Sequence, residues 1–142
     1  SRAHIEPIDP SIVVGFGKVG VVNISGIVTN TFTVTVATGT NSYGTGNKFY
    51  LGGVVSPTVE LTEGLTYKFD QSDGTNGTHP LRLSTTPNGT WGGGSEYTTG
   101  VTKVGVPGNA GAYTQITVPD PAPTLYYYCS AHSGMGGQAN TP

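Results

Sequence analysis

The 142-residue sequence has few charged residues, a single cysteine and no long apolar run. Charged side chains make up 10% of the chain, against roughly 25% in an average soluble protein, and the formal net charge is −2. This charge gives no electrostatic attraction to nucleic acid or to an anionic membrane. No apolar stretch approaches the roughly 20 residues of a bilayer-spanning helix, and one cysteine cannot form an internal disulfide. We therefore expect no nucleic-acid partner and no membrane insertion.

The composition favours short strands joined by turns. The chain has 23 glycines and 10 prolines, a mixture that disfavours long helices. In several segments apolar residues alternate with polar ones, which is typical of a half-buried strand. The clearest examples are residues 30–36, 59–69, 79–83, 113–118 and 125–129. The Gly/Asn/Ser/Thr-rich residues 38–46 are expected to form a turn. The sequence therefore predicts an all-β protein, a β-sandwich of seven or eight strands.

The length is that of one domain, preceded by a segment of different character. Residues 30–142 contain the alternating segments and are expected to form the domain. Residues 1–29 hold two short apolar runs, Ile12-Val13-Val14 and Val19-Gly20-Val21-Val22, with glycines between them. We expect this segment to be an arm that packs against a neighbouring molecule, or a set of extra strands.

The chemically distinctive stretch begins at the end of the last predicted strand. Cys129, His132 and Met135 follow at intervals of three residues and include the only cysteine and the only methionine. Thiolate, imidazole and thioether are ligands that suit copper. One thiolate, two imidazoles and a distant thioether make a trigonal copper site with a weak axial methionine. The stretch supplies three of these four ligands, so a second histidine has to come from elsewhere in the chain.

His4 and His79 are the remaining histidines. His4 lies in an irregular, proline-bounded terminus that few contacts would fix. His79 shares one face of a predicted strand with Leu81 and Leu83, and this register directs its side chain inward at a strand end. His79 is therefore the better candidate for the fourth ligand.

Three other interpretations of Cys129 explain the sequence less well. A buried hydrophobic cysteine would not need a histidine, a methionine and three glycines around it. A nucleophilic Cys–His pair would need an orienting carboxylate or amide, and no acidic residue follows in the loop. Structural zinc takes four strong N or S ligands, and methionine is not one. We therefore expect the chain not to be an enzyme.

Gly134, Gly136 and Gly137 are expected to let the backbone approach the metal closely.

The Tyr-Cys-x2-His-x2-Met run that ends at Met135 resembles the ligand loop of the cupredoxins, the type-1 blue copper proteins. Its short spacing is similar to that of amicyanin-type members. The resemblance covers about residues 47–137 and includes a strand-Gly-strand hairpin in residues 59–69. One position departs from the pattern: Pro80 follows His79, where many cupredoxins have an asparagine that links the two ligand segments.

The resemblance to cupredoxins implies a Greek-key β-sandwich that binds one copper ion. It implies His79, Cys129 and His132 as strong ligands and Met135 as the weak axial ligand. It also implies a single-electron carrier with a redox protein as its partner. Such a carrier would be periplasmic or extracellular if the protein is cellular.

A second resemblance, to cupredoxin-like domains in virion structural proteins of marine cyanophages, is carried by longer stretches of sequence. The alternative function is a structural module of a phage fibre or tail protein, located in the virion. Its partners would be other virion subunits, and its copper site would have a structural or vestigial role. A copper store without redox partners is a third hypothesis. The matching stretches are residues 47–51, 69–73, 79–82, 92–97 and the loop after Cys129.

Overall fold

The computed structural model describes residues 29–142, which form two β-sheets packed face to face. His4 and the arm or extra strands predicted in residues 1–29 lie outside the described residues, except that Thr29 begins the first strand. The described strands are β1 (Thr29–Asn41), β2 (Gly44–Leu51), β3 (Val54–Val55), β4 (Val59–Glu60), β5 (Thr66–Asp70), β6 (Leu81–Ser84), β7 (Val101–Val104), β8 (Tyr113–Thr117), β9 (Leu125–Cys129) and β10 (Gly137–Asn140).

Both sheets mix parallel and antiparallel pairs of strands. One sheet has six strands in the order β3-β2-β1-β5-β8-β7, and the other has four in the order β4-β10-β9-β6. The pairs β1–β5 and β4–β10 are parallel, and the remaining pairs are antiparallel. The chain crosses between the sheets several times, so strands far apart in the sequence become neighbours. The pairing of β6 with β9 is the one that matters for the candidate site.

The alternation of apolar residues explains why each sheet buries one face. Phe32, Val34 and Val36 of β1 are buried, whereas the threonines between them are more exposed. Phe69 of the six-stranded sheet packs against Tyr127 of the four-stranded sheet, with ring centroids 6.3 Å apart. Burying one large apolar side chain contributes roughly 1.5–3 kcal/mol, so this shared core holds the two sheets together. The predicted all-β sandwich is confirmed.

The hairpin of β1 and β2 is longer than the sequence predicted. The turn predicted over residues 38–46 is present but is confined to Ser42 and Tyr43, because the two strands remain paired as far as Asn41 and Gly44. At Gly39 the missing side chain makes room for Tyr50, whose hydroxyl donates to the carbonyl of Thr38 at 2.7 Å. An aromatic side chain that covers a glycine on the neighbouring strand compensates for the low strand propensity of glycine.

The described residues contain ten strands, where the sequence predicted seven or eight. Several of these strands carry little sequence signal, since β3 and β4 have two residues each and Ala139 is the one apolar residue of β10. The two described helices are short 3₁₀ helices, Gly74–Asn76 and Gly89–Gly92. Within residues 29–142, no helix is long and apolar enough to cross a membrane.

The pairing of β6 with β9 brings the candidate ligands to one end of the four-stranded sheet. Leu81, the first residue of β6, lies opposite Cys129, the last residue of β9. His79 precedes Leu81 by two residues, and His132 follows Cys129 by three. Because an antiparallel pair places the start of one strand beside the end of the other, the segments that carry the two histidines meet next to the thiol.

Candidate metal centre

Cys129, His79 and His132 form a compact cluster of side chains whose atoms could hold a metal ion. The Sγ of Cys129 lies 3.8 Å from Nδ1 of His79 and 3.7 Å from Nδ1 of His132. The two imidazole rings are tilted by 47°, with centroids 4.6 Å apart. One ligand atom from each of the three residues lies within 4.8 Å of the others. The sequence predicted these three residues as ligands, and the fold brings their side chains together.

The separations within the cluster suit one metal ion held by all three side chains. A metal bonded to sulfur at about 2.3 Å and to nitrogen at about 2.0 Å, with about 120° between the bonds, keeps the two ligand atoms about 3.7 Å apart. The observed distances from Cys129 Sγ to the two imidazole nitrogens, 3.8 and 3.7 Å, agree with this value. The cluster is therefore compatible with a metal site.

Met135, the predicted axial residue, lies near the cluster and is buried. It ends the ligand loop, which we define as residues 129–135. The Met135 carbonyl accepts hydrogen bonds from the backbone N–H of Phe49 at 2.9 Å and from the hydroxyl of Ser56 at 3.2 Å. These bonds attach the end of the ligand loop to β2 and to the segment between β3 and β4.

Gln71 fixes the segment that carries His79. The buried Gln71 side chain donates to the carbonyl of His79 at 2.8 Å and to Oδ1 of Asn76 at 2.9 Å, and it accepts from the N–H of Leu81 at 2.9 Å. The His79 N–H donates to the Asn76 carbonyl at 2.8 Å. The side-chain amide of Gln71 thus replaces the backbone hydrogen bonds of strand pairing around Pro80, which has no N–H to donate. For this reason β6 begins at Leu81 and not at His79, where the sequence predicted its start.

The two histidines of the cluster differ in exposure. His79 is 7% exposed, whereas His132 lies on the surface. Burial, and secondly the neighbouring charge of His132, lower the pKa of His79. A neutral imidazole is the form that binds a metal, so the surroundings of His79 favour the ligand form. The exposed His132 connects the two buried residues of the cluster with the surface.

Cys129 is fully buried at the end of β9. Burial raises the pKa of its thiol, while the backbone N–H groups of Ala131 and His132 and the charge of Arg82 act in the opposite direction. A metal that binds the sulfur displaces the thiol proton. The two N–H groups then stabilise the resulting thiolate, since hydrogen bonds to a charged form favour that form.

A backbone hydrogen bond links the two ligand segments directly. The N–H of Ser130 donates to the carbonyl of Pro80 at 3.0 Å. This bond joins the residue after His79 to the residue after Cys129. The link that Pro80 cannot make through a side-chain amide is therefore made through its carbonyl.

Asn88 and Trp91, in the connection between β6 and β7, also contact the ligand loop. The indole Nε1 of Trp91 donates to the carbonyl of Cys129 at 2.9 Å. The Asn88 side chain donates to the hydroxyl of Ser133 at 3.0 Å and accepts from the N–H of Gly134 at 2.9 Å. The loop is therefore held at both ends by the same short segment.

Gly134 is held on its other side by the six-stranded sheet. Its carbonyl accepts from Nζ of Lys48 at 2.7 Å and from Nδ2 of Asn41 at 2.9 Å. Lys48 is 3% exposed, and its burial lowers the pKa of its ammonium group. Gly134 has φ +84°, and a Cβ at this position would lie 3.2 Å from Cβ of Tyr43. The left-handed backbone and the close neighbour explain why glycine occupies this turn.

Gly136 and Gly137 serve strand packing. A Cβ at Gly136 would overlap the carbonyl oxygen of Tyr127, and one at Gly137 would lie 2.9 Å from the Tyr127 hydroxyl. These glycines allow β10 to approach β9 closely, which differs from the predicted role of letting the backbone approach a metal. Of the three glycines, Gly134 is the one that lies within the ligand loop.

Sequence reasoning did not identify four residues that support the cluster. Lys48, Asn88 and Trp91 act through hydrogen bonds to backbone groups 38 to 86 residues away, and Gln71 acts on backbone groups 8 and 10 residues further along the chain. Such contacts leave no local pattern. The sequence indicates such support at one position, Pro80. Proline stands there in place of the asparagine of many cupredoxins, so the two ligand segments have to be linked by other groups.

The donor set of the cluster is one sulfur and two nitrogen atoms, with no carboxylate among the three residues. No protein-family model matches the chain, and neither a curated protein nor a solved structure matches it.

Proposed function

We propose that the protein binds one copper ion as a type-1 copper protein and carries single electrons. His79, Cys129 and His132 are the strong ligands, and Met135 is the weak axial ligand. The observation that carries the proposal is the approach of Cys129 Sγ to 3.8 and 3.7 Å from two imidazole nitrogens.

The donor set favours copper over other metals. One thiolate and two imidazoles with a weak thioether are the ligands of blue-copper electron-transfer sites. Copper(II) has the highest affinity among the divalent first-row metals for such N and S ligands. Structural zinc takes four strong ligands, whereas the cluster of His79, Cys129 and His132 provides three.

Each residue has a defined part in electron transfer. When bound, copper supplies a centre that exchanges one electron between Cu(II) and Cu(I). Cys129 loses its proton and provides the thiolate, and the buried His79 provides a neutral imidazole on the interior side. His132 lies at the surface, where a redox protein can approach. The hydrogen bonds around these segments keep the ligands in one arrangement in both oxidation states.

Copper stoichiometry and voltammetry test this function. We expect protein that is loaded with Cu(II) and then desalted to retain one copper ion per chain, and to show one reversible one-electron wave. A chain that retains no copper contradicts the metal assignment. A chain that retains copper without a reversible wave contradicts the role as an electron carrier and favours a structural or storage role for the site.

A further inference from the structure

We propose that Asn88 and Trp91 are positioning residues of the metal centre, a role that rests on the proposed function. Together they form the Asn88–Trp91 turn, which includes most of the second 3₁₀ helix. By holding the ligand loop at Cys129 and at Ser133–Gly134, this turn keeps His132 beside the thiolate and slows the release of copper.

Asn88 has an unusual conformation for a residue at the start of a helix. It occupies the N-cap position of the 3₁₀ helix with φ +63°, but its side chain makes no capping hydrogen bond to that helix. Instead, both ends of its amide group bond to the ligand loop, at Ser133 and Gly134. A left-handed non-glycine residue is uncommon, and here the conformation accompanies contacts to residues 45 and 46 positions further along the chain.

Trp91 holds the other end of the loop. Its indole N–H donates to the carbonyl of Cys129, although its side chain is 48% exposed. A large aromatic residue with this exposure contributes little to the core. Its hydrogen bond to the backbone of a ligand is therefore its most specific contact.

The turn itself is fixed against β9. Gly89 has φ +55°, and a Cβ there would overlap the ring of Tyr128, so the turn packs directly on the strand that ends at Cys129. The N–H of Gly89 donates to the carbonyl of Thr86 at 2.9 Å, and the carbonyl of Gly89 accepts from the N–H of Gly94 at 3.0 Å. The side chains of Asn88 and Trp91 therefore belong to a turn that packs on β9, the strand that carries the thiol.

The ligand loop needs this support because its middle is exposed. Residues 130–133, including His132, all lie on the surface. Surface segments with few contacts open more readily than the core. A loop that opens would carry His132 away from the metal, and the remaining ligands would then lose copper more readily.

Copper release tests the positioning role. The variants are Trp91→Phe, which keeps a ring but loses the N–H, and Asn88→Gly, which removes the amide without strain at positive φ. The matched control is Asn109→Gly in another exposed loop. All four proteins are loaded with Cu(II), and the rate of copper loss to excess EDTA is measured together with the visible spectrum. We expect release roughly fivefold faster for Trp91→Phe and roughly tenfold or more for Asn88→Gly, with a shifted thiolate band. The control should match the parent.

One further measurement separates positioning from a merely structural role. The thermal midpoint of the copper-free Trp91→Phe protein should fall only slightly, because a ring is kept at this 48% exposed position and a single part-buried hydrogen bond is lost. Parent-like release and spectra in both variants overturn the positioning role while the copper function stands. A parent that binds no copper overturns both. If Asn88→Gly does not fold, Trp91→Phe alone decides.

Discussion

His79 is the residue that comes to the cluster from outside the ligand loop, and its assignment can be tested against His4. We expect His79→Ala to weaken copper binding by more than about 100-fold, because loss of even an outer partner of a ligand costs about 10–100-fold. His4→Ala should leave copper affinity unchanged. Competition with a chelator of known affinity measures both variants. The reverse pattern would show that the N-terminal histidine is the ligand.

Met135 is predicted to tune the site without holding the metal. A thioether is a weak, long ligand, so the three strong ligands should retain copper without it. We expect Met135→Leu to keep its colour and to have a raised reduction potential, because loss of the sulfur donor disfavours Cu(II). Spectroelectrochemistry of both proteins checks this. Complete loss of copper would make Met135 a structural residue, and an unchanged potential would mean that it is not a ligand.

The residues of the cluster were predictable because their chemistry is visible locally. Cys129 and His132 stand three residues apart in one loop, and His79 is in register with two leucines. The supporting residues were not predictable. Lys48 reads as an ordinary polar residue of a strand, yet it is buried and bonded to Gly134. Only the folded chain shows which carbonyl a side chain reaches.

At the scale of elements, the connection from β5 to β6 depends on the buried amide of Gln71. Gln71→Ala leaves the carbonyl of His79 and the N–H of Leu81 without their partner. Each buried polar group without a partner costs about 1–3 kcal/mol. We therefore expect the unfolding free energy of copper-free Gln71→Ala to be lower than that of the copper-free parent by at least this amount. The exposed Gln138→Ala variant should change it by less than about 0.5 kcal/mol. Urea unfolding measures both, and equal effects would contradict the importance of this amide.

Strands with apolar alternation were predictable, and those built by tertiary contacts were not. β5 and β8 follow their alternating patterns closely, whereas in β9 Tyr128 is buried as well as the predicted face of Leu125, Tyr127 and Cys129. β10 has one apolar residue, Ala139, and forms because Gly136, just before it, and Gly137, its first residue, allow close packing against β9. The end of β1 extends past Gly39 because Tyr50 of the neighbouring strand covers that glycine. In both places a contact between strands overrides a weak local preference.

At the level of the described domain, the candidate centre lies at one end of the four-stranded sheet, and both sheets contribute contacts to the segments around it. The four-stranded sheet positions Cys129 and His79 through the pairing of β6 with β9. The six-stranded sheet holds the ligand loop through Lys48 and Asn41 of β2 and β1. Both layers of the fold therefore hold segments that carry the three cluster residues.

One visible absorption spectrum shows whether copper is bonded to the thiolate of Cys129. Cys129 is the only cysteine of the chain, so any sulfur-to-copper charge-transfer band has to come from this residue. After one equivalent of Cu(II), the parent protein should turn blue or green. Cys129→Ser under the same conditions should show no such band. A colourless parent would show that no thiolate–copper bond forms, and a Cys129→Ser variant with the colour of the parent would show that the band does not come from Cys129.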